Sequence, residues 1–197
     1  MDGDYGAKFG CVHKTLHGDG KDTLGRAVLT CEQMLRDRGC TRIARAPDPD
    51  ASIENGTPPI LRGEGDDLIV EVYVHSEDKV GVKFVRSVLE VAEGDVIVVS
   101  LEGPTPFTKK ECDGKRIQFF TMRDVCVNIT RHALVPKHEK MEQPPPGMRV
   151  EHLPLLLDTD PIVQYYNWPH GTIVRVWRTF GGHEPTPYFR VVSPATS

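Results

Sequence analysis

Leu68-Ile69-Val70-Glu71-Val72-Tyr73-Val74 is a run of β-branched and aromatic residues with one charge inside it, and it reads as a strand. From Val82 to Ala92 the apolar residues Val85, Val88, Leu89 and Ala92 fall on one helical face before Gly94. Val96-Ile97-Val98-Val99 then forms a second apolar run, short and bounded, as a buried strand requires. Strand, helix, strand in this order predicts a right-handed parallel crossover, the seed of an α/β domain.

Working outward, Leu24, Val28, Cys31 and Leu35 follow helical spacing from Thr23 to about Arg38, and Gly39 stands where a left-handed cap is wanted. Residues 1–22 are Gly-rich and aperiodic and are expected to be a mobile tail. Ala46 to Gly65 holds Pro47, Pro49, Pro58 and Pro59 and is expected to be a loop or insertion. After the second strand come a loop through Glu102-Gly103-Pro104-Thr105-Pro106, a short polar helix near Thr108–Cys112 and a strand at Ile117–Phe120.

The composition changes near residue 127. Ten of the 16 prolines lie beyond it, and the net charge of −4 divides into −5 before residue 127 and +1 from there on. Two modules are expected, at 23–124 and 125–197. In the second, Asp160 followed by Pro161 starts a short helix, because the carboxylate can cap free amides and proline is tolerated at the first helical position. Ile173–Trp177 and Tyr188–Val192 alternate as strands. The fold class is therefore an α/β N-terminal module plus a small mixed α+β C-terminal module.

Charge and cysteine usage exclude several functions. No strongly basic surface makes nucleic-acid affinity an expectation from charge alone, so any DNA contact must be local. No apolar run approaches the ~20 residues of a membrane span. Five cysteines without a Cys-x-x-Cys pair, and His132 and His138 six apart, supply no metal-ligand pattern. Free thiols in a reducing compartment are expected, with no metal and no cofactor. The aromatic residues Tyr165, Tyr166, Trp177 and Tyr188 are expected in the core, with an exposed Trp168 beside Pro169 as an interface anchor.

The block Val127-Asn128-Ile129-Thr130-Arg131-His132-Ala133-Leu134-Val135-Pro136-Lys137-His138 resembles the small subunit shared by the three nuclear RNA polymerases of eukaryotes, whose C-terminal module has a stand-alone counterpart in the archaeal RNA polymerase. The similarity resumes at Leu153-Pro154, runs through Asp160-Pro161 and Gly171, and reaches Arg178 and Tyr188-Phe189-Arg190. Asp37-Arg38-Gly39, Val80-Gly81-Val82-Lys83 and Thr105-Pro106 match the first half more loosely.

The resemblance implies a non-catalytic polymerase subunit: an N-terminal α/β jaw beside downstream double-stranded DNA and a C-terminal module assembling on the largest subunit. It implies DNA-proximal Thr105, Pro106, Lys109 and Lys110, and subunit contacts at His132, Pro136, Lys137, His138, Asp160, Pro161 and Trp168. It also implies a nucleus, or a viral factory or virion if a large DNA virus encodes the chain. Because proline pushes the residue before it toward extended backbone, Leu134-Val135 is expected to form a strand edge. Two readings compete. A metal-dependent nuclease would use Asp66, Asp67 and Glu77-Asp78-Lys79, and a free-standing transcription adaptor would carry the same assembly module.

Overall fold

The computed structural model describes residues 20–47, 58–75, 79–179, 181 and 184–195. The chain divides into two compact units between Val127 and Asn128. Residues 1–19 of the expected 1–22 tail and the acidic pair Glu77-Asp78 lie outside the described residues, and residues 20–22 correct that expectation because the first helix already begins at Gly20.

The first unit is a five-stranded sheet in the order β1 (Arg42–Arg45), β2 (Leu61–Glu64), β3 (Ile69–Val74), β4 (Asp95–Ser100), β5 (Ile117–Thr121). β3, β4 and β5 run parallel, and β1 and β2 add antiparallel at one edge. The β3-to-β4 connection carries helix α2 (Val82–Val91), as the period-3.6 pattern predicts. Strand alternation sorts the core into two layers. Val72, Val74 and Val99 face Leu24, Ala27, Val28 and Cys31 of helix α1 (Gly20–Asp37). Tyr73, Val96 and Val98 meet Val80, Val85, Val88 and Cys112 on the other side.

Strand β2 corrects the expected loop at Ala46–Gly65, and β1 lies just before it where no strand is expected. Each is four residues long and poor in β-branched side chains, so neither carries a local signal. β2 is held by tertiary contacts: Leu61 and Gly63 are buried on one face, and Arg62 lies directly opposite Glu71. Glu71 explains the one charge in the deciding strand. It is 3% exposed, and it accepts from Arg62 Nη1 at 2.9 Å, Tyr73 Oη at 3.2 Å and the Glu93 amide at 3.3 Å. A buried carboxylate is tolerated when its oxygens are filled in this way.

Two glycines are required by geometry. Gly39 has φ of 102° and ends the turn after α1. A Cβ on Gly94 would stand 2.1 Å from the Ile69 carbonyl oxygen, so only glycine lets the chain enter β4 beside β3.

The second unit is a four-stranded sheet in the order β6 (Lys137–Met141), β8 (Ile173–Arg178), β9 (Thr186–Ser193), β7 (Leu155–Leu157). β6 is an edge strand whose sequence is Lys-His-Glu-Lys-Met. Leu156, Val174, Val176 and Val192 cluster with Val163 of a six-residue helix, Pro161–Tyr166. That helix begins as expected: Asp160 Oδ1 accepts the Ile162 amide at 2.8 Å and Pro161 takes the first position. It ends at Asn167, with φ of 54°. Leu153, Ile173 and Val191 form a separate cluster with Met141, Val150 and Phe189.

Three further expectations are corrected. Leu134-Val135 is not a strand edge: the Val135 amide closes a turn on the His132 carbonyl at 3.0 Å, and β6 begins only after Pro136. Trp168 is half-buried, because it stacks on Tyr166 with ring centroids 4.6 Å apart and packs against the Val174–Val176 cluster. Tyr188 is exposed where the core was expected, with Arg178 over its ring at 5.7 Å. Trp177 and Tyr166 are half-buried, and Tyr165 is core.

Candidate functional sites

The Thr-Pro segment forms a corner fixed from two sides. Thr105 Oγ1 accepts the Thr108 amide at 3.2 Å and lies 2.8 Å from the Thr108 hydroxyl, and Pro106 opens helix α3 (Pro106–Glu111). The helix therefore starts two residues before its expected position. Thr108 is fully buried and donates its hydroxyl to the Val80 carbonyl at 3.0 Å. The Thr105 amide reaches the same carbonyl at 3.2 Å, and Pro104 bridges Val80. The loop entering α2 thus anchors the corner.

This anchoring presents Phe107, 66% exposed, and the exposed Lys109 and Lys110. Phe107 escapes a sequence reading because one aromatic residue in a six-residue helix has no periodic neighbours to mark its face. Beside the lysines, Glu111 receives Arg86 Nη2 at 3.0 Å and Lys115 Nζ at 3.8 Å on the same oxygen. Arg86, and then Lys115, hold its carboxyl below the ordinary range.

In the second unit, the Asn128–His138 block forms one wall of an open groove of about 950 Å³. Ala133 to Pro136 make this wall, and Arg178, Thr179, Glu184 and Pro185 make the other. Trp177, Lys137 and Glu139 form its floor. Leu134 projects at the rim, 87% exposed. The floor is an ion-pair lattice: Glu139 accepts from Lys137 Nζ at 2.7 Å, Trp177 Nε1 at 2.9 Å and Arg175 Nη2 at 2.6 Å. Lys137 first, then Trp177 and Arg175, hold the Glu139 carboxyl down to about 2. Arg175 also lies 4.9 Å from the Trp177 ring centroid, at cation–π distance.

The expected contact residues do not all meet there. Pro136 and Lys137 line the groove. Asn128, which opens the block, ties it to the short helix by donating to Tyr165 Oη at 3.1 Å. His132 accepts the Leu134 amide at 3.2 Å and so shapes the turn carrying Leu134. His138 pairs its Nδ1 with the Pro136 carbonyl at 2.7 Å, and burial lowers its pKa against the opposing pull of that carbonyl. Asp160 and Pro161 start the short helix, and Trp168 packs behind the sheet. Neither Trp177 nor Arg178 stands out in the sequence as a contact, because strand alternation alone marks both as ordinary strand positions.

Among the described residues, no group of three or more His, Cys, Asp and Glu side chains is placed to hold a metal ion. Asp66 and Asp67 are exposed in the turn before β3, and Lys79 pairs with Glu102 at 3.6 Å. Cys31, Cys40, Cys112 and Cys126 are free thiols, and burial pushes Cys31 up to about 12, which suits a packing role. No described helix is long and apolar enough to cross a membrane.

The described residues thus form an α/β unit with a fixed corner bearing exposed cations, and a small mixed-sheet unit with an open groove. The family model for "RNA polymerase Rpb5, C-terminal domain" matches residues 146–192. The Dictyostelium discoideum "DNA-directed RNA polymerases I, II, and III subunit rpabc1" is 31% identical over 132 residues, covering 57% of this chain and 67% of that protein. The Caenorhabditis elegans and Caenorhabditis briggsae subunits RPABC1 are each 24% identical over 136 residues, covering 60% of this chain and 64% of theirs. The chain belongs to this family of small DNA-directed RNA polymerase subunits.

Proposed function

We propose that the chain is a non-catalytic subunit of a DNA-directed RNA polymerase, docked on the largest subunit through its second unit and flanking downstream double-stranded DNA with its first. The observation carrying this reading is the groove beneath Leu134. The segment closest to the family pattern builds a wall there, and Leu134, 87% exposed, joins Val135, Pro136 and Trp177 in one apolar lining that a partner can cover. Largely exposed Lys137 on the floor and Arg178 on the far wall supply charged groups beside the apolar lining of such a contact.

The DNA-facing role rests on the Thr105 corner. Two exposed lysines on a helix anchored through Val80 can position a phosphate backbone while reading no sequence. Chemistry would belong to other subunits, and the site of action would be the nucleus.

The test is incorporation of a tagged chain into the polymerase, measured as its molar ratio to the large subunits after a high-salt wash. A one-to-one ratio for the full chain is expected. Deletion of residues 128–197 should abolish incorporation, and retention of that truncated chain in the complex would overturn the assembly claim.

A further inference from the structure

The corner at Thr105 carries a wider basic surface than its two helix lysines. Arg86 on α2 and Lys115 after α3 are separated by 29 positions in sequence, yet both reach Glu111 Oε1. Their side chains stay 60% and 41% exposed. Within residues 106–116, Lys109, Lys110, Lys115 and Arg116 outnumber Glu111 and Asp113, in a unit whose overall charge is negative. The positive charge is therefore gathered locally.

We propose that Arg86 and Lys115 extend the DNA-backbone surface begun by Lys109 and Lys110, and that Glu111 is an exchangeable internal counter-ion that a DNA phosphate displaces. This rests on the reading of the corner as DNA-facing. Exposed ion pairs add little to stability, so Glu111 can release its partners at small cost. Until it does, it keeps two cations from different elements convergent on one point. A phosphate takes up the same donors, since guanidinium and ammonium groups bind either anion. The carboxylate left beside the phosphate then opposes binding, so Glu111 limits affinity and eases the release that translocating DNA needs.

The experiment uses the assembled polymerase on a template with a downstream duplex, following duplex retention against salt concentration. Arg86→Ala with Lys115→Ala should weaken retention and lower the log–log salt slope by up to about 2, near 0.9 for each lost phosphate contact. Glu111→Gln should strengthen retention roughly three- to tenfold at low salt, because one like charge beside the phosphates is gone. Lys109→Glu with Lys110→Glu is the comparison. If that pair weakens retention while the Arg86, Lys115 and Glu111 variants leave it unchanged, the inference is overturned and the corner keeps its DNA-facing role. If none of the variants changes retention, both readings fall. Unchanged thermal midpoints and one-to-one incorporation establish that each variant folds and assembles.

Discussion

Trp177 donates its indole N–H to Glu139 at 2.9 Å across neighbouring antiparallel strands, although Trp177 stands opposite Lys137 in the register. The bond is diagonal. It leaves the Trp177 ring edge toward the groove and ties the strand that follows the Asn128–Pro136 wall to the strand leading into the opposite wall. The two sides of the groove therefore share one carboxylate.

That carboxylate makes the groove acid-sensitive. The folded pKa of Glu139, about 2, lies below the ordinary 4.5, so its contribution to stability is present above about 4.5 and is lost as pH falls toward 2. Urea unfolding of the full chain between pH 5 and pH 2 should show this loss. In Glu139→Gln the fall should be shallower, and an equally steep fall would place the sensitivity elsewhere.

Leu134 separates binding from folding. Leu134→Asp places a charge on a side chain already in water, so the thermal midpoint should remain within about a degree of the unaltered chain, as for ordinary surface changes. Incorporation into the polymerase should drop severalfold. Full incorporation would remove Leu134 from the interface.

Thr105→Ala deletes the cap of α3 and a hydroxyl contact to Thr108. The expected cost is about 1 kcal/mol, typical of a lost helix cap. Amide exchange should accelerate at Thr108 and Lys109 before it does in β3 or β4. Uniform acceleration throughout the unit would indicate that the corner opens only with global unfolding.

Gly94→Ala tests the close approach at the start of β4. Its methyl group would meet the Ile69 carbonyl, a backbone atom that cannot rotate aside. Destabilisation of roughly 1–3 kcal/mol is expected, the range for overpacking. A smaller loss in chemical denaturation would mean that the β3–β4 pairing has more slack than the geometry allows.

The β3–α2–β4 unit is legible in sequence because its signals are local: β-branched runs for the strands, a 3.6 period for the helix. Asp160-Pro161 and Gly39 are equally legible, since caps depend on one or two residue types. Strands β1 and β2 are hidden because their stability comes from pairing across the sheet, with Arg62 answering a glutamate nine residues later. The groove is half legible. The wall at 133–136 stands out through its resemblance to the polymerase subunits, but the opposite wall comes from Arg178, Thr179, Glu184 and Pro185 and is assembled only when β6 pairs with β8. Trp168 misleads because its proline neighbour suggests a surface turn, while the ring folds back onto Tyr166.

The edge strand β6 bears on what happens to a copy made before its partners are ready. An open strand edge is a template for self-pairing, and apolar edges seed aggregates. Here the edge reads Lys-His-Glu-Lys, with Lys137 and Lys140 exposed, so a second copy approaching side by side would bring like charges together. The charge on β6 thus discourages self-pairing at this edge, whereas the opposite edge, β7, is three leucines with Leu155 and Leu157 exposed, so unwanted pairing of one copy with another has a single place to start in this sheet.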